Sequence, residues 1–350
     1  MISGSGRWLA ALALTVLPAP AAAPPASLAA ALARAAARLP AGGLVAAEVG
    51  GGAVRYFSAG SPAPRPGIPP ERIIFEIGSI TKVFTGLLLA QAVVEHRLSL
   101  DDPIGELLPA SVRLDPVVST ITLEELATHT SGLPRFPDNG SPERYTVADL
   151  YAFLSAFRLP GPPPRPPSYS NVGPALLGII LERTYGLPYD ELVERKIARP
   201  LGLVDTAIAL SPEQWSRFSP PHAGPALLPP GNLPVFAAAA GLHSTAADLA
   251  RFAEALMSPG RDPLRAAWEI ARVPRHPFPA YEGFTGLGVF IMRRGAGTIY
   301  WHGGATFGSR SHLQWSPSTG RALVVLQDSD SVDSMNLAVT LYRLKPAATR

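Results

Sequence analysis

The stretch FEIGSITKVFTGLLLA, Phe75 to Ala90, sets a serine and a lysine three residues apart at the start of an apolar run. Lysine is scarce in this chain, standing only at Lys82, Lys196 and Lys345, so a lysine inside an apolar segment needs a reason. The run reads as a buried helix that Ser79 opens and that ends at about Arg97. Residues three apart on a helix share a face, so the Ser79 hydroxyl and the Lys82 amine can touch. A helix start also leaves backbone N–H groups free to hold an oxyanion. Serine alone is a poor nucleophile, whereas a lysine withheld from water loses proton affinity and can accept the serine proton.

The remainder of the chain supports a globular body built around that segment. Its 350 residues, 47% of them hydrophobic and 16% charged, suffice for a sizeable core without disulfides or metal staples. Mean hydropathy is +0.17, but apolar runs such as FTGLLLAQAVV are too short to span a bilayer. The start differs. Arg7 precedes WLAALALTVL and then PAPAAAPPA, the charged, apolar and small-residue order of a secretory signal peptide, expected over residues 1–23. With no cysteine, lipoprotein acylation and a disulfide framework are excluded, and export is not contradicted. These features imply a periplasmic or secreted protein with no stable membrane insertion after cleavage. The net charge of +3 comes from singly scattered arginines without basic runs, which argues against a nucleic-acid partner.

Proline, at 39 residues, is about double its usual share and gathers in residues 61–70, 159–167 and 219–234. Patterned elements flank each cluster, so these are loops. LAAALARAAARL reads as an amphipathic helix and GLVAAEVGGGAVRYFSAG as two strands with a Gly-rich turn. Helices fill the middle, among them TLEELATHTSGLP, VADLYAFLSAF, NVGPALLGIILERTYG, YDELVERKIARPLG and TAADLARFAEALM. Strand signals return in FTGLGVFIMRR, GTIYWHGG, SHLQWSP and GRALVVLQDS, before a last helix around MNLAVTLYRL. A lone two-stranded ribbon is marginal, so the early and late strands are expected to pair in one antiparallel sheet flanked by helices. The α/β (α+β) architecture that follows has a sheet subdomain at about 27–85 and 236–350 and an inserted all-helical subdomain at about 86–235. Their seam is the natural place for a cleft.

Two further motifs join Ser79 and Lys82. Tyr169 and Asn171, in SYSN, follow a proline loop and open a helix. A lysine cation beside Tyr169 would lower its pKa and let it shuttle a proton, while the Asn171 amide can hold both the lysine and a substrate carbonyl; a packing tyrosine beside an N-cap asparagine is the other reading. His302, Gly303 and Gly304, in WHGGATFGS, leave a strand, and two residues without side chains let an extended substrate approach its edge, with the N–H of Ala305 able to meet a carbonyl. A histidine packed at a sheet edge is the alternative for His302. The competing His222 to Gly224 match lies in a proline loop with no strand before it and is set aside.

Ser-x-x-Lys, Tyr-x-Asn and His-x-Gly, in this order and each in the element its chemistry needs, resemble the penicillin-recognising serine hydrolases, and within them the class C β-lactamase and DD-peptidase branch. The resemblance covers about Leu44 to Ser329 and includes LSLDDPI, LATHTSGLPRFPDN, GLHSTAADLARF and HGGATFGSRS, read as mainly scaffold. It implies a β-lactamase/transpeptidase-like fold, Ser79 as acylated nucleophile, Lys82 and Tyr169 as the proton-transfer pair, and Asn171 as holder of substrate and lysine. It also implies N–H groups of Ser79 and Ala305 as the oxyanion hole, with no cofactor and no metal. The implied activity is that of a D-alanyl-D-alanine carboxypeptidase or endopeptidase on cell-wall peptides. Alternatives are β-lactam hydrolysis, small-ester hydrolysis, or an idle relative that binds peptidoglycan.

One departure stands out. The β-lactamases of this branch carry Lys-Thr-Gly where this chain has His302-Gly303-Gly304, which removes a permanent cation and a hydroxyl. His302 would offer a cation to a substrate carboxylate only when protonated, near pH 6.5 for an unperturbed imidazole. Arg310, just past the turn, reads as a solvated arginine or as a second carboxylate partner. His129 reads as a last-turn histidine that complements a helix dipole. No HExxH, CxxC, P-loop or GxSxG pattern is present.

Overall fold

The computed structural model describes residues 27–62, 67–258, 264–295, 297–331 and 337. The leader expected over 1–23 lies outside them, as does the last expected helix apart from Leu337. Ser27 caps α1 (Leu28–Ala36), its hydroxyl accepting from Ala30 N at 3.2 Å. Leu28, Ala31, Leu32 and Ala35, on one stripe, are its buried residues. The hairpin β1 (Gly43–Gly50) and β2 (Ala53–Gly60) follows. Late strands β5 (His276–Phe278), β6 (Gly283–Thr285), β7 (Phe290–Arg294), β8 (Gly297–Ala305), β9 (Arg310–Ser316) and β10 (Arg321–Gln327) complete the sheet.

Among the described residues the large sheet has eight strands in the order β2-β1-β10-β9-β8-β7-β6-β5, with antiparallel pairing throughout. The early hairpin thus joins the late strands through β1 and β10, with Leu44 opposite Gln327 and Val49 opposite Ala322. Strand alternation sorts side chains to two faces. Leu44, Ala46, Leu323 and Val325 pack with α1, whereas Val45, Ala47, Val324 and Leu326 enter the main core. A second, two-stranded sheet unseen in the sequence pairs β3 (Ile74–Glu76) with β4 (His243–Thr245).

Helix α2 (Thr81–Val94) runs through the core and buries nearly every side chain, including Lys82. It starts two residues later than expected, because Ser79 belongs to a 3-10 turn, Gly78–Ile80. It also stops earlier: left-handed His96 (φ 55°) turns the chain and Arg97 N returns to the Ala92 carbonyl at 2.9 Å. Phe84 of α2 stacks at 4.4 Å on Phe252 of α6 (Ala246–Met257), which joins the central helix to one that packs under the sheet. Between α2 and α6 the chain forms α3 (Leu123–Thr128), α4 (Val147–Ala156) and α5 (Val172–Tyr185), with shorter helical turns. Capping boxes start α3 at Thr122 and α4 at Thr146.

Candidate active site

Ser79 is placed by a close approach of backbone. Gly78 has φ +49°, and a Cβ built on it would fall 2.7 Å from Ala305 N. Only glycine lets the serine turn rest on the end of β8. The same join excludes a side chain at Gly304, whose added Cβ would meet Ile77 O at 2.0 Å. Gly303 differs: nothing of the protein comes nearer than 3.8 Å to its added Cβ, and the residue lines the cleft.

Tyr169 and Asn171 are placed by a zipper between two loops. Left-handed His129 (φ 62°) ends α3. Ser168 N then donates to His129 O at 2.8 Å, Ser170 Oγ to Pro134 O at 2.8 Å, and Asn171 N to Arg135 O at 3.1 Å. Arg165, nearly buried, pairs with Glu125 of α3 at 2.8 Å and ties the proline loop to the same helix. The stretch LATHTSGLPRFPDN is scaffold in this sense, but it also sends Arg135 and Phe136 into the cleft.

Lys82 lies beneath the cleft with three oxygens around Nζ: Ser79 Oγ at 2.9 Å, Asn171 Oδ1 at 2.8 Å and the Ala239 carbonyl at 2.8 Å. Burial, with the Arg135 guanidinium as a second cause, holds its pKa well below the usual amine value. On losing its proton the amine keeps two N–H bonds for Asn171 and Ala239 and gains a lone pair for the third neighbour, the Ser79 hydroxyl. The Asn171 side chain therefore serves the lysine, and it makes no cap hydrogen bond on α5.

The Tyr169 phenol hydrogen bonds Ser79, and its ring lies 5.0 Å from Lys82 Nζ and 4.4 Å from the His129 ring. Its pKa does not fall as the sequence suggests. Burial pushes the phenol up and outweighs the Ser79 hydrogen bond and the Arg135 charge, which pull it down. The site thus holds a proton acceptor and a proton donor on either side of one hydroxyl.

His302 is 2% exposed, with Nδ1 2.7 Å from Gly303 O and its ring 5.0 Å from Phe290. Burial lowers its pKa to about 3, so the imidazole is neutral between pH 5 and 8 and supplies no cation there. His129 is likewise buried and held well below its usual value. It accepts from Ser170 N at 3.2 Å and does not act as a charged end for a helix dipole. Arg310 is half-buried in the cleft wall, its Nη1 donating to Thr306 O and Ser309 O at 2.9 Å each. His222 sits apart from the cleft, Nδ1 3.0 Å from Asp328 O.

Ser79, Tyr169, Asn171, His302, Gly303, Gly304 and Ala305 all line one cleft of about 730 Å³. Sequence reasoning missed its aromatic wall, where Tyr281 stands 4.6 Å from Phe290 and 5.1 Å from Trp301. It also missed Glu76, whose carboxylate accepts from Gly231 N at 2.6 Å and from the Thr306 hydroxyl, fastening the turn that follows Ala305.

The family model described as Beta-lactamase matches residues 29–344. The chain belongs to the beta-lactamase family. Its relatives include the D-alanyl-D-alanine-carboxypeptidase/endopeptidase AmpH of Escherichia coli K12, 31% identical over 62% of this chain and 57% of that protein. A beta-lactamase of Pseudomonas fluorescens is 32% identical over 63% of this chain and 61% of its own length. The match therefore spans less than two thirds of the length of these curated relatives. A solved class C beta lactamase from Rhodobacter sphaeroides superposes with a TM-score of 0.78 over 90% of this chain and 98% of the other, at 24% identity, which speaks for the fold. The family's fold is thus the one expected from the sequence.

Proposed function

We propose that the chain is an exported serine hydrolase that forms an acyl-enzyme on Ser79 and acts on D-alanyl peptides of the cell wall. The observation that carries this reading is the 2.9 Å contact between Ser79 Oγ and the buried Lys82, whose amine has its pKa held well below the usual value. Ser79 Oγ adds to the substrate carbonyl carbon while its proton passes to Lys82 Nζ. The oxyanion takes hydrogen bonds from the N–H groups of Ser79 and Ala305. As the C–N bond breaks, the Tyr169 phenol gives its proton to the leaving nitrogen and regains one from Lys82. Water then repeats the sequence on the ester, with Ser79 as leaving group. Asn171 holds Lys82 and a substrate carbonyl, and the edge of β8 from His302 to Gly304 receives the extended peptide.

The peptide assignment is supported by the likeness to AmpH, a protein named as a D-alanyl-D-alanine carboxypeptidase/endopeptidase. Release of free D-alanine from an acyl-D-alanyl-D-alanine peptide tests it: wild type releases it and Ser79→Ala does not. No release, or equal release by both, removes the reading. Small neutral esters are a second substrate class, favoured by the neutral His302. Faster turnover of an ester than of every D-alanyl peptide would select it. Export rests on the charged, apolar and small-residue order of the first 26 residues. Mass spectrometry of the mature N-terminus checks it, with intact Met1 or Ile2 as the contrary result.

A further inference from the structure

With His302 neutral and Lys82 beneath the cleft among three oxygens, the cleft needs another source of positive charge if it takes anionic substrates. We propose that Arg135 receives a carboxylate of the acyl donor and is the residue by which this cleft selects anionic substrates. The proposal rests on the hydrolase reading above and names the substrate chemistry of the same site.

The backbone of Arg135 belongs to the site, since its carbonyl accepts from Asn171 N at 3.1 Å. Its side chain is exposed in the cleft that Ser79 lines, with the guanidinium carbon 5.6 Å from the centre of the Tyr169 ring. That cation–π contact favours a guanidinium position over the tyrosine that contacts Ser79. Arg165 and Arg217, the well-buried arginines of the core, are each matched to a carboxylate, at 2.8 and 2.6 Å. Arg135 has no such partner among the described residues, and its fork of N–H donors is open to one.

The other charges in the cleft are less suited. Arg310 spends Nη1 on two carbonyls of its own turn. Glu143, the acidic group of the lining, is held by Ser141. Lys82 already has three oxygen neighbours.

A second consequence follows from the same position. After burial, the positive charge of Arg135 is the second cause that lowers the Lys82 pKa. The remaining titratable groups facing Lys82, namely Tyr169, His129 and His302, are uncharged near neutral pH. A carboxylate seated on Arg135 offsets that charge and makes Lys82 a stronger base as the substrate arrives. Selection is then felt in the acylation step as well as in binding.

The test uses two substrate pairs: acyl-D-alanyl-D-alanine with its C-terminal amide, and D-alanyl substrates with a glutaryl or an uncharged butyryl acyl group. For each pair the ratio of kcat/KM values is measured in wild type, Arg135→Ala, Arg135→Lys and Arg310→Ala. The expected result is a fall of roughly 10- to 100-fold in at least one carboxylate-to-neutral ratio in Arg135→Ala, with Arg135→Lys between it and wild type. Which pair responds tells whether the bound carboxylate is on the leaving or the acyl side. Arg135→Ala should also move the acidic limb of the neutral substrates' pH profile to higher pH, which a merely structural residue would not do. Ratios within twofold of wild type in both pairs, or an equal fall in Arg310→Ala, overturn the proposal while the hydrolase reading stands. Failure of wild type to turn over all four substrates, or equal turnover by Ser79→Ala, removes both.

Discussion

Lys82 Nζ and Asn171 Oδ1 lie 2.8 Å apart across two helix starts that are 89 residues distant in sequence. The partner of this buried amine is an uncharged amide, and a carboxylate there would hold the amine protonated. Asn171→Asp should therefore raise the Lys82 pKa. At pH 7 acylation is expected to fall by about 100-fold or more, with partial recovery as pH rises, because more of the lysine must first lose its proton. A pH profile identical to wild type would show that Lys82 is not the acceptor.

The two glycines of β8 should respond oppositely. Gly304→Ala drives a methyl to within 2.0 Å of Ile77 O and should cost about 3 kcal/mol or more, read as a large drop in Tm. Gly303→Ala meets no protein atom nearer than 3.8 Å, so its Tm should stay close to wild type while peptide kcat/KM falls. A stable Gly304→Ala protein would contradict the close packing of the serine turn on β8.

His302 should remain neutral across the working range. Its pKa, pushed down to about 3 by burial, means that imidazole NMR shifts assigned through His302→Gln should not move between pH 5 and 8. A titration centred near pH 6.5 would restore the cationic role that its place in the sequence suggested.

Asp248 supplies a stability signature. It accepts from Asp205 N and the Thr206 hydroxyl at 2.8 Å each, and burial pushes its carboxyl up to about 6. The folded state therefore binds a proton more tightly than the unfolded chain. This contribution is fully present below about pH 4, is lost as pH rises through about 6, and amounts to roughly 2–3 kcal/mol. Asp248→Asn should lower Tm at pH 4 relative to wild type by more than it does at pH 7.5. Equal differences at both pH values would remove the assignment.

What was legible in the sequence was set by short spacings. Ser79 with Lys82, Tyr169 with Asn171, and His302 to Ala305 are each local, and one cleft contains or overlies all of them. The pairing of early and late strands followed from the inability of a two-stranded ribbon to stand alone. Signs of pKa shifts were harder to read, because burial is a tertiary quantity. Leaving burial out gave the wrong direction for Tyr169, and an unburied reading of His302 gave it a charge it lacks. Three-residue strands such as Ile74–Glu76 carry no periodicity, so the sheet with His243–Thr245 was invisible. Arg135 and Tyr281 come from separate segments and meet only as lining of the folded cleft, while Glu76 acts from behind it on the turn after Ala305.

Neutral Lys82 as the acceptor of the Ser79 proton is tested most directly by the rate at which a neutral fluorophosphonate labels the folded protein, with the adduct located by peptide mapping. Wild type should be labelled on Ser79 at pH 7. Lys82→Arg, which preserves charge but cannot give up its proton, should react about 1,000-fold or more slowly at an unchanged Tm. Labelling of Lys82→Arg at the wild-type rate, or an adduct on any residue other than Ser79, would contradict it.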